Sequence, residues 1–240
     1  MLNCPLNLLN LMYLDYSSTF DIRGFYLGFH GEIIISRDRF NLLRRIVDWL
    51  LGSKSSIPTN RVFIKGERVI LREKNIKDLS DDYCWRTNSE LSKLDATTPI
   101  YMSFEDFSRQ FHEEIFYGSL ASKRLSIDNK TKKHIGNCMF YSFDSYRRQA
   151  ELGIMIGDRN YWSKGYGTET VKLMLNYIFT ETNLNRIYLH TLKWNERARK
   201  SFSKCGFTEA NEIKKGGYDF ILMEILKKTW ENQTTIESVP

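Results

Sequence analysis

Cysteine, histidine and long apolar runs are all scarce in this chain, and each shortage excludes a class of protein. The 240 residues include only four cysteines and four histidines, and no two cysteines form a Cys-x-x-Cys pair. A disulfide framework and a zinc cluster therefore have no support, and we expect no bound metal. No apolar run reaches the roughly 18 residues that a membrane-spanning helix needs, so we expect no membrane partner.

The first fourteen residues are rich in leucine but lack both a basic start and a small-residue cleavage site. This pattern disfavours a secretory signal, and a reducing, cytoplasmic setting is the expected location. Hydrophobic residues make up 42% of the chain, which is enough for a sizeable core.

The formal net charge of +6 leaves several kinds of partner open. An excess of basic residues favours nucleic acid, an acidic partner or a phosphate-rich cofactor, although a mildly basic solvated surface explains it best. No basic patch with interleaved aromatic residues supports nucleic-acid binding, so a ribosome-associated or nucleic-acid-binding role ranks last.

The stretch from Ile154 to Leu175 is the most informative part of the sequence. It opens with three apolar residues, continues through a polar turn and reaches a Gly-Tyr-Gly segment at residues 165–167. Apolar residues then recur at helical spacing, so the stretch predicts a strand, a glycine-rich loop and a helix. Glycines let the backbone approach a ligand, and the free N–H groups of the first helical turn face that ligand. Such a loop predicts an anion site, for which a pyrophosphate is the natural ligand.

Two common phosphate-binding loops do not match this segment. A nucleotide-hydrolase loop needs Lys-Ser or Lys-Thr directly after its last glycine, whereas Gly167 is followed by Thr168-Glu169. A dinucleotide-binding fingerprint needs a third glycine three residues after Gly167, where Thr170 stands. Taken alone, the segment also fits an ordinary strand-to-helix turn of an α/β protein.

The segment Trp162-Ser163-Lys164-Gly165-Tyr166-Gly167 resembles the acyl-CoA-binding motif of the GNAT N-acetyltransferases. That motif reads Gln or Arg, two residues, Gly, one residue, then Gly or Ala, and Trp162 takes the Gln/Arg place. Tryptophan before a Gly-Tyr-Gly-Thr-Glu run is similar to the branch that contains the ribosomal-protein alanine acetyltransferases. The resemblance implies acetyl-CoA as co-substrate, bound by the loop and its flanks: Ile154, Met155, Ile156, Arg159, Trp162, Ser163, Lys164, Gly165, Tyr166, Gly167 and Thr168.

A second family signature follows at the expected distance. Asn195, followed by Ala198 and by Lys-Cys-Gly-Phe at residues 204–207, resembles the GNAT segment in which an asparagine contacts the CoA arm. Asn195 would also suit the N-cap of a helix, and both roles can hold together. Arg199 is a candidate for the 3′-phosphate of CoA, or else a solvated surface charge. Some family members protonate the departing thiolate with a tyrosine where this chain has Phe202, so the general acid is unassigned.

The implied reaction needs a base, because an ammonium group with a pKa near 10 must lose a proton before its nitrogen can attack. Glu151 begins the strand that leads into the motif, where many family members place a glutamate that faces the acceptor. We therefore expect Glu151 to be the base. An edge glutamate paired with Arg147 or Arg148 is the equally weighted alternative.

The acceptor amine is expected to bind beside the two early helices. Trp85, Asp95 and Tyr101 lie in that region and combine aromatic with acidic character, which suits an amine. For Trp85, a place in the hydrophobic core is the favoured alternative.

The predicted elements follow the GNAT order: a strand, two helices, three strands, a helix, a strand, a helix and two strands. This order implies an α/β fold with a central mixed β-sheet flanked by helices, over residues 59–230. Residues 1–58 are expected to be an extension of unknown role, with short strands, an amphipathic helix over Arg39–Leu51 and a linker. Residues 231–240 are expected to be a polar, frayed tail.

The sequence thus predicts an N-acetyltransferase that moves acetyl from acetyl-CoA to a primary amine in a ternary complex. The acceptor is a small molecule or a peptide, and a protein N-terminus, an amino sugar nucleotide, a polyamine and an antibiotic all stay open. A non-catalytic CoA-binding or sensing module is the alternative, motivated by Phe202 and by the unassigned extension. Self-association as a homodimer is also left open.

Overall fold

A computed structural model describes residues 26–27, 33–34, 62–119 and 122–237. Contacts divide the chain into two compact units, residues 1–36 and 37–240. In the first unit, strands β1 (Tyr26–Leu27) and β2 (Ile33–Ile34) form an antiparallel pair. The predicted helix over Arg39–Leu51, the linker after it and the domain boundary at residue 58 lie outside the described residues.

An eight-stranded mixed sheet forms the centre of the second unit. Its strands are β3 (Phe63–Lys65), β4 (Val69–Glu73), β5 (Ser122–Asn129), β6 (His134–Asp144), β7 (Gln149–Ile156), β8 (Arg186–Leu192), β9 (Thr208–Lys215) and β10 (Tyr218–Leu226). They lie in the order β3-β4-β5-β6-β7-β8-β10-β9, and every neighbouring pair is antiparallel except β7 and β8.

The helices flank this sheet, so the predicted fold class is confirmed. They are α1 (Leu79–Thr87), α2 (Ser89–Leu94), α3 (Phe104–Tyr117), α4 (Tyr166–Glu181), α5 (Glu196–Ser203) and α6 (Lys227–Glu237), with 3-10 turns at Ile76–Asp78 and Arg159–Tyr161. The Ser-Phe-Glu-Asp run at residues 103–106 predicts an N-cap and an acidic first turn, and Ser103 does cap α3, since its hydroxyl accepts the N–H of Asp106 at 3.1 Å. The apolar spacing of Ile76, Leu79 and Tyr83 predicts one helix over Asn75–Leu91, which is wrong. Asn88 interrupts it and caps α2 by accepting the N–H of Leu91.

Helix α4 packs its apolar face on the sheet, as its spacing predicts. Val171, Met174, Leu175 and Ile178 are all at most 1% exposed and join the hydrophobic core. Burying each such side chain contributes roughly 1.5–3 kcal/mol, so this face fixes the helix against the strands. The start of α4, and the loop before it, are thereby held in one position.

The chain end differs from its prediction. Fraying was expected after Trp230, but α6 continues to Glu237. The Trp230 ring packs 5.4 Å from the ring of Phe179, and the Lys227 ammonium donates to the Phe179 carbonyl at 2.6 Å. These two contacts dock the helix on α4, so a polar composition alone did not decide its state.

A buried ion network joins the first helical turn to the sheet. The Arg72 guanidinium donates to Asp78 at 2.7 Å and to Asp128 at 2.7 Å. Asp78 is 1% exposed and also accepts the Ser126 hydroxyl at 2.7 Å. Burial by itself raises the pKa of Asp78, but the hydrogen bonds from Arg72, from the Asn75 N–H and from Ser126 outweigh it and lower that pKa to about 2.

Candidate active site

The site begins where β7 and β8 separate. These parallel strands pair only over Gln149–Glu151 and Arg186–Tyr188. From Leu152 onward, the β8-facing edge of β7 has no strand partner among the described residues. Unpaired backbone N–H and C=O groups need other partners, so this edge can hydrogen-bond an extended ligand that carries amides.

A cavity of about 870 Å³ opens into this gap. Residues Leu152–Met155 of β7 and Leu189–Leu192 of β8 form one part of its wall. The α5 segment contributes Asn195, Ala198 and Phe202. Further wall residues come from the early helices, from β5 and β6, and from the β9–β10 hairpin, including Asp82, Arg86, Asp95, Phe107, Phe111, Glu114, Arg124, Tyr141, Lys215, Tyr218 and Phe220. The cavity therefore joins the strand gap to the region predicted to hold the acceptor.

The glycine loop supplies the start of α4. Gly165 precedes the helix with φ +86°, a left-handed conformation that an L side chain adopts only with strain. No side chain caps α4, so the first N–H groups of the helix keep their capacity to bind an anion. Tyr166, the first helical residue, packs edge-on against Tyr161 at 4.9 Å, which holds the turn in place.

Trp162 closes this loop back onto the end of β7. Its indole N–H donates to the carbonyl of Ile156 at 2.6 Å, and the Arg197 guanidinium lies 3.8 Å from its ring centre. Arg159, predicted to face phosphate, pairs instead with Glu90. Its guanidinium is therefore committed to an ion pair, whereas Lys164 and Ser163 are exposed beside the loop.

The second signature also takes its predicted position. Asn195 caps α5 by accepting the N–H of Ala198 at 3.2 Å, and the same residue lines the cavity. Arg199 donates to Glu209 at 2.7 Å and to the carbonyl of Lys193, so its guanidinium is held by these two contacts. Thr168 Oγ1 lies 2.8 Å from Ser201 Oγ and joins the first turn of α4 to the C-terminal half of α5.

Phe202 lines the cavity and is 8% exposed. A phenyl ring has no proton to give, so the position at which some relatives use a tyrosine cannot supply an acid in this chain.

Glu151 lies in the cavity wall at the last paired position of β7. Its carboxylate lies 2.8 Å from His190 Nδ1, and Tyr141 stands opposite it in the β6–β7 register. Burial, together with the charge and hydrogen bonding of Glu151, raises the pKa of Tyr141. The alternative pairing with Arg147 or Arg148 is not formed: Arg147 pairs with Asp144.

Of the three residues predicted for the acceptor, only Asp95 lines the cavity. Asp95 is solvent-accessible, yet its carboxylate is surrounded by protein in the concave wall, and this desolvation raises its pKa. Trp85 packs 4.7 Å from the ring of His134 and against Gly157, but it is half-buried and does not belong to the hydrophobic core cluster of the described residues. Tyr101 is 91% exposed and is not among the described residues of the cavity wall.

Sequence reasoning missed His190 and Tyr141 as parts of this site. His190 alternates with the buried Leu189 on β8, so its place on the opposite face could have been read from the strand periodicity. Its contact with Glu151, 39 residues away, depends on which strands are neighbours. Strand order is not visible in a local pattern.

The described residues contain no group of three or more His, Cys, Asp or Glu side chains that could hold a metal ion. Within the same part of the chain, no helix has the length and apolar character needed to cross a membrane.

Comparison with known proteins identifies the family of this site. The family model described as acetyltransferase (GNAT) domain matches residues 68–208. The uncharacterized N-acetyltransferase p20 of Bacillus licheniformis is 31% identical over 176 residues, covering 68% of this chain and 96% of p20. YdaF of Bacillus subtilis, named for a ribosomal N-acetyltransferase activity, is 28% identical over 104 residues, covering 41% of this chain and 56% of YdaF.

A solved structure gives the same result. Spermidine N-acetyltransferase from Vibrio cholerae, in complex with CoA and spermine, superposes with a TM-score of 0.61 and 25% identity. The match covers 70% of this chain and all of that one. The chain therefore belongs to the GNAT acetyltransferase family. Within that family it is an N-acetyltransferase, as the glycine loop and the Asn195 segment predicted.

Proposed function

We propose that this protein transfers the acetyl group of acetyl-CoA directly to a primary amine while both substrates are bound. One observation carries the proposal: the gap between β7 and β8 leads into a cavity that also holds the Glu151 carboxylate. A thioester in the gap and a proton-accepting group would then share one space, as direct transfer requires.

Three features fit acetyl-CoA. The uncapped start of α4 behind Gly165 suits a pyrophosphate, and the unpaired edge of β7 suits the amides of the pantetheine arm. Asn195 belongs to both the α5 cap and the cavity wall, so its amide group stands beside the path of that arm. Arg159 and Arg199 are left out of this assignment because both are engaged in ion pairs.

In the proposed reaction, the amine nitrogen attacks the thioester carbonyl, a C–N bond forms, and the C–S bond then breaks to release CoA as a thiolate. The ammonium gives up one proton before it attacks, and Glu151 is the carboxylate on which that step depends. The second proton leaves the nitrogen to solvent as the C–S bond breaks. Backbone N–H groups of β7 are the candidates to stabilise the oxyanion. Phe202 cannot protonate the thiolate, but a thiol pKa near 8.5 makes the leaving group acceptable without an acid.

The acceptor's ammonium is assigned to the carboxylates that lack a Lys or Arg partner. Two acidic residues of the cavity wall already form ion pairs: Asp82 pairs with Lys74, and Glu114 pairs with Arg124. Asp95 and Glu151 form no ion pair with a described Lys or Arg, and both raise the pKa of Tyr141 in addition to its burial. These two carboxylates therefore act on one region of the cavity, where an ammonium would be stabilised.

Among acceptor classes, a polyamine is the first to test. The Vibrio cholerae spermidine N-acetyltransferase, solved with CoA and spermine, is similar to this chain over 70% of its length. Protein N-termini, amino sugar nucleotides and aminoglycosides remain the other arms of the assay.

The test is release of free CoA thiol from acetyl-CoA with one amine from each class. With the best amine, Glu151→Gln should lower kcat by about 10²–10⁴-fold while acetyl-CoA affinity stays within a few-fold. Glu212→Gln makes the same chemical change in an exposed ion pair with Lys193 and should leave kcat unchanged. Full activity of Glu151→Gln at pH 7 would remove Glu151 from the mechanism, and no thiol release with any amine would refute the proposed function.

A further inference from the structure

His190 is an ionisable residue of the cavity that contacts Glu151 directly. Its Nδ1 lies 2.8 Å from Glu151 Oε1, and both residues line the cavity. The side chains differ in access: 32% of His190 is exposed but only 17% of Glu151. The imidazole therefore has more contact with the open cavity than the carboxylate that would otherwise act as the base.

The hydrogen bond between them contains one proton, which belongs to the imidazole. An ionised carboxylate only accepts hydrogen bonds, whereas a neutral imidazole carries one N–H, so Nδ1 donates to Glu151 Oε1. In the neutral imidazole, Nε2 then carries a lone pair. Nε2 has no hydrogen-bond partner among the described residues. The imidazole therefore has one nitrogen, Nε2, that can accept a proton from a ligand in the cavity.

Among the described neighbours of His190, Glu151 is the charged group that contacts the imidazole. Aromatic rings flank it edge-on, with Tyr188 at 5.8 Å on its own strand and Phe220 at 6.3 Å on β10. Tyr141 of β6 contacts the Glu151 carboxylate rather than the imidazole. Arg186 lies over the Tyr188 ring and pairs with Glu224.

We infer that His190 Nε2 takes the proton of the attacking amine and that Glu151 positions His190 and stabilises the resulting imidazolium. The inference deepens the proposed function and rests on it. The ammonium first gives one proton to Nε2, and the free amine then forms the C–N bond. As the C–S bond breaks, the imidazolium returns that proton to the thiolate, and the second N–H proton leaves the new amide nitrogen to solvent. His190 thereby supplies the acid that Phe202 cannot.

The physical gain lies in the match between the base and the operating pH. Proton transfer is most efficient when the base has a pKa near that pH, and an imidazole is about two units closer to pH 7 than a glutamate. A carboxylate behind the imidazole fixes its tautomer and stabilises its charged form, a division of roles known from Ser-His-Asp triads.

His190→Asn is the decisive variant, because its amide can still donate to Glu151 from the place of Nδ1 but cannot take a proton. We expect kcat to fall by about 10²–10⁴-fold, with KM for the amine within a few-fold. The loss should exceed that of Glu151→Gln, as removal of a triad histidine costs more than removal of its carboxylate. The residual rate should rise tenfold per pH unit toward the amine's own pKa, near 10.

His112→Asn is the matched control. His112 is exposed on α3, and its Nδ1 lies 2.7 Å from the backbone carbonyl of Ser108, outside the cavity wall. Its substitution should leave kcat and the pH profile unchanged, so a loss there as large as in His190→Asn would overturn the inference.

The outcomes separate the inference from the proposed function. Near wild-type kcat in His190→Asn, with a severe loss in Glu151→Gln, would overturn the inference and leave Glu151 as the sole base.

¹⁵N spectra of labelled histidine provide a readout besides activity, with the His190 signal assigned by its absence in His190→Asn. A neutral ring protonated on Nδ1 supports the inference, and one protonated on Nε2 overturns it. No turnover with any amine defeats both proposals.

Discussion

Alanine substitutions at the two loop glycines are expected to change stability in opposite directions. Gly165 has φ +86°, and a Cβ there would meet only Arg68 Nε at 3.9 Å, so its cost is backbone strain rather than a clash. A left-handed alanine costs about 1–2 kcal/mol. For a chain of this size, that should lower Tm by about 2–8 °C.

Gly167 differs because it lies inside α4 without a positive φ, and a Cβ would meet only Ile156 Cγ1 at 3.9 Å. Alanine is favoured over glycine in a helix by roughly 0.5–1 kcal/mol, so Gly167→Ala should raise Tm by about 1–4 °C. If Gly165→Ala melts at or above the wild-type temperature, the strain argument is wrong.

Valine substitutions at Gly165 and Gly167 test whether this loop binds the pyrophosphate of acetyl-CoA. Gly167→Val places two methyl groups beside the first helical N–H groups, where the pyrophosphate is proposed to bind. Acetyl-CoA affinity should fall at least about tenfold, equivalent to about 1.4 kcal/mol, while the fold persists. Gly165→Val should lose both affinity and stability. Calorimetric titration with acetyl-CoA measures the first quantity, and wild-type affinity in a folded Gly167→Val protein would refute the loop assignment.

Three further predictions concern the rest of the chain. The pKa of Asp78 is lowered from 3.8 to about 2 in the folded protein, so its ionised form adds about 2 kcal/mol to the free energy of unfolding. This contribution is present above pH 4 and is lost as the pH falls toward 2. Urea unfolding from pH 7 to pH 2.5 should show this loss of stability in the wild type but not in Asp78→Asn. Parallel pH profiles of the two proteins would contradict the prediction. A Cβ at Gly157 would overlap the Trp85 ring, so Gly157→Ala should destabilise by about 1–3 kcal/mol in thermal melts, and less in a Trp85→Leu background. A chain that starts at Thr59 should fold and bind acetyl-CoA, because it contains all of residues 68–208, which the family model matches. Circular dichroism of an unfolded product would show that the predicted boundary is wrong.

Much of the site was predictable because its signals are local. The left-handed turn at Gly165, the cap that Ser103 gives α3 and the cap that Asn195 gives α5 each depend on residues within four positions of one another. The apolar stripe of α4 likewise required only helical spacing. Backbone dihedrals and short-range hydrogen bonds act over such distances, so a sequence pattern can report them.

The tertiary structure decided what no local pattern contains. Glu151 and His190 meet because β7 and β8 are parallel neighbours, and those strands part after Glu151, so the cavity opens beside both side chains. Trp85 lies against Gly157 and the His134 ring and does not line that cavity, and Arg159 forms an ion pair with Glu90 of α2. The sequence alone established the family, the loop and the helix that faces it. Strand order and packing determined which acidic, basic and charged groups surround the cavity. Contacts between residues that are distant in sequence form only when the sheet assembles.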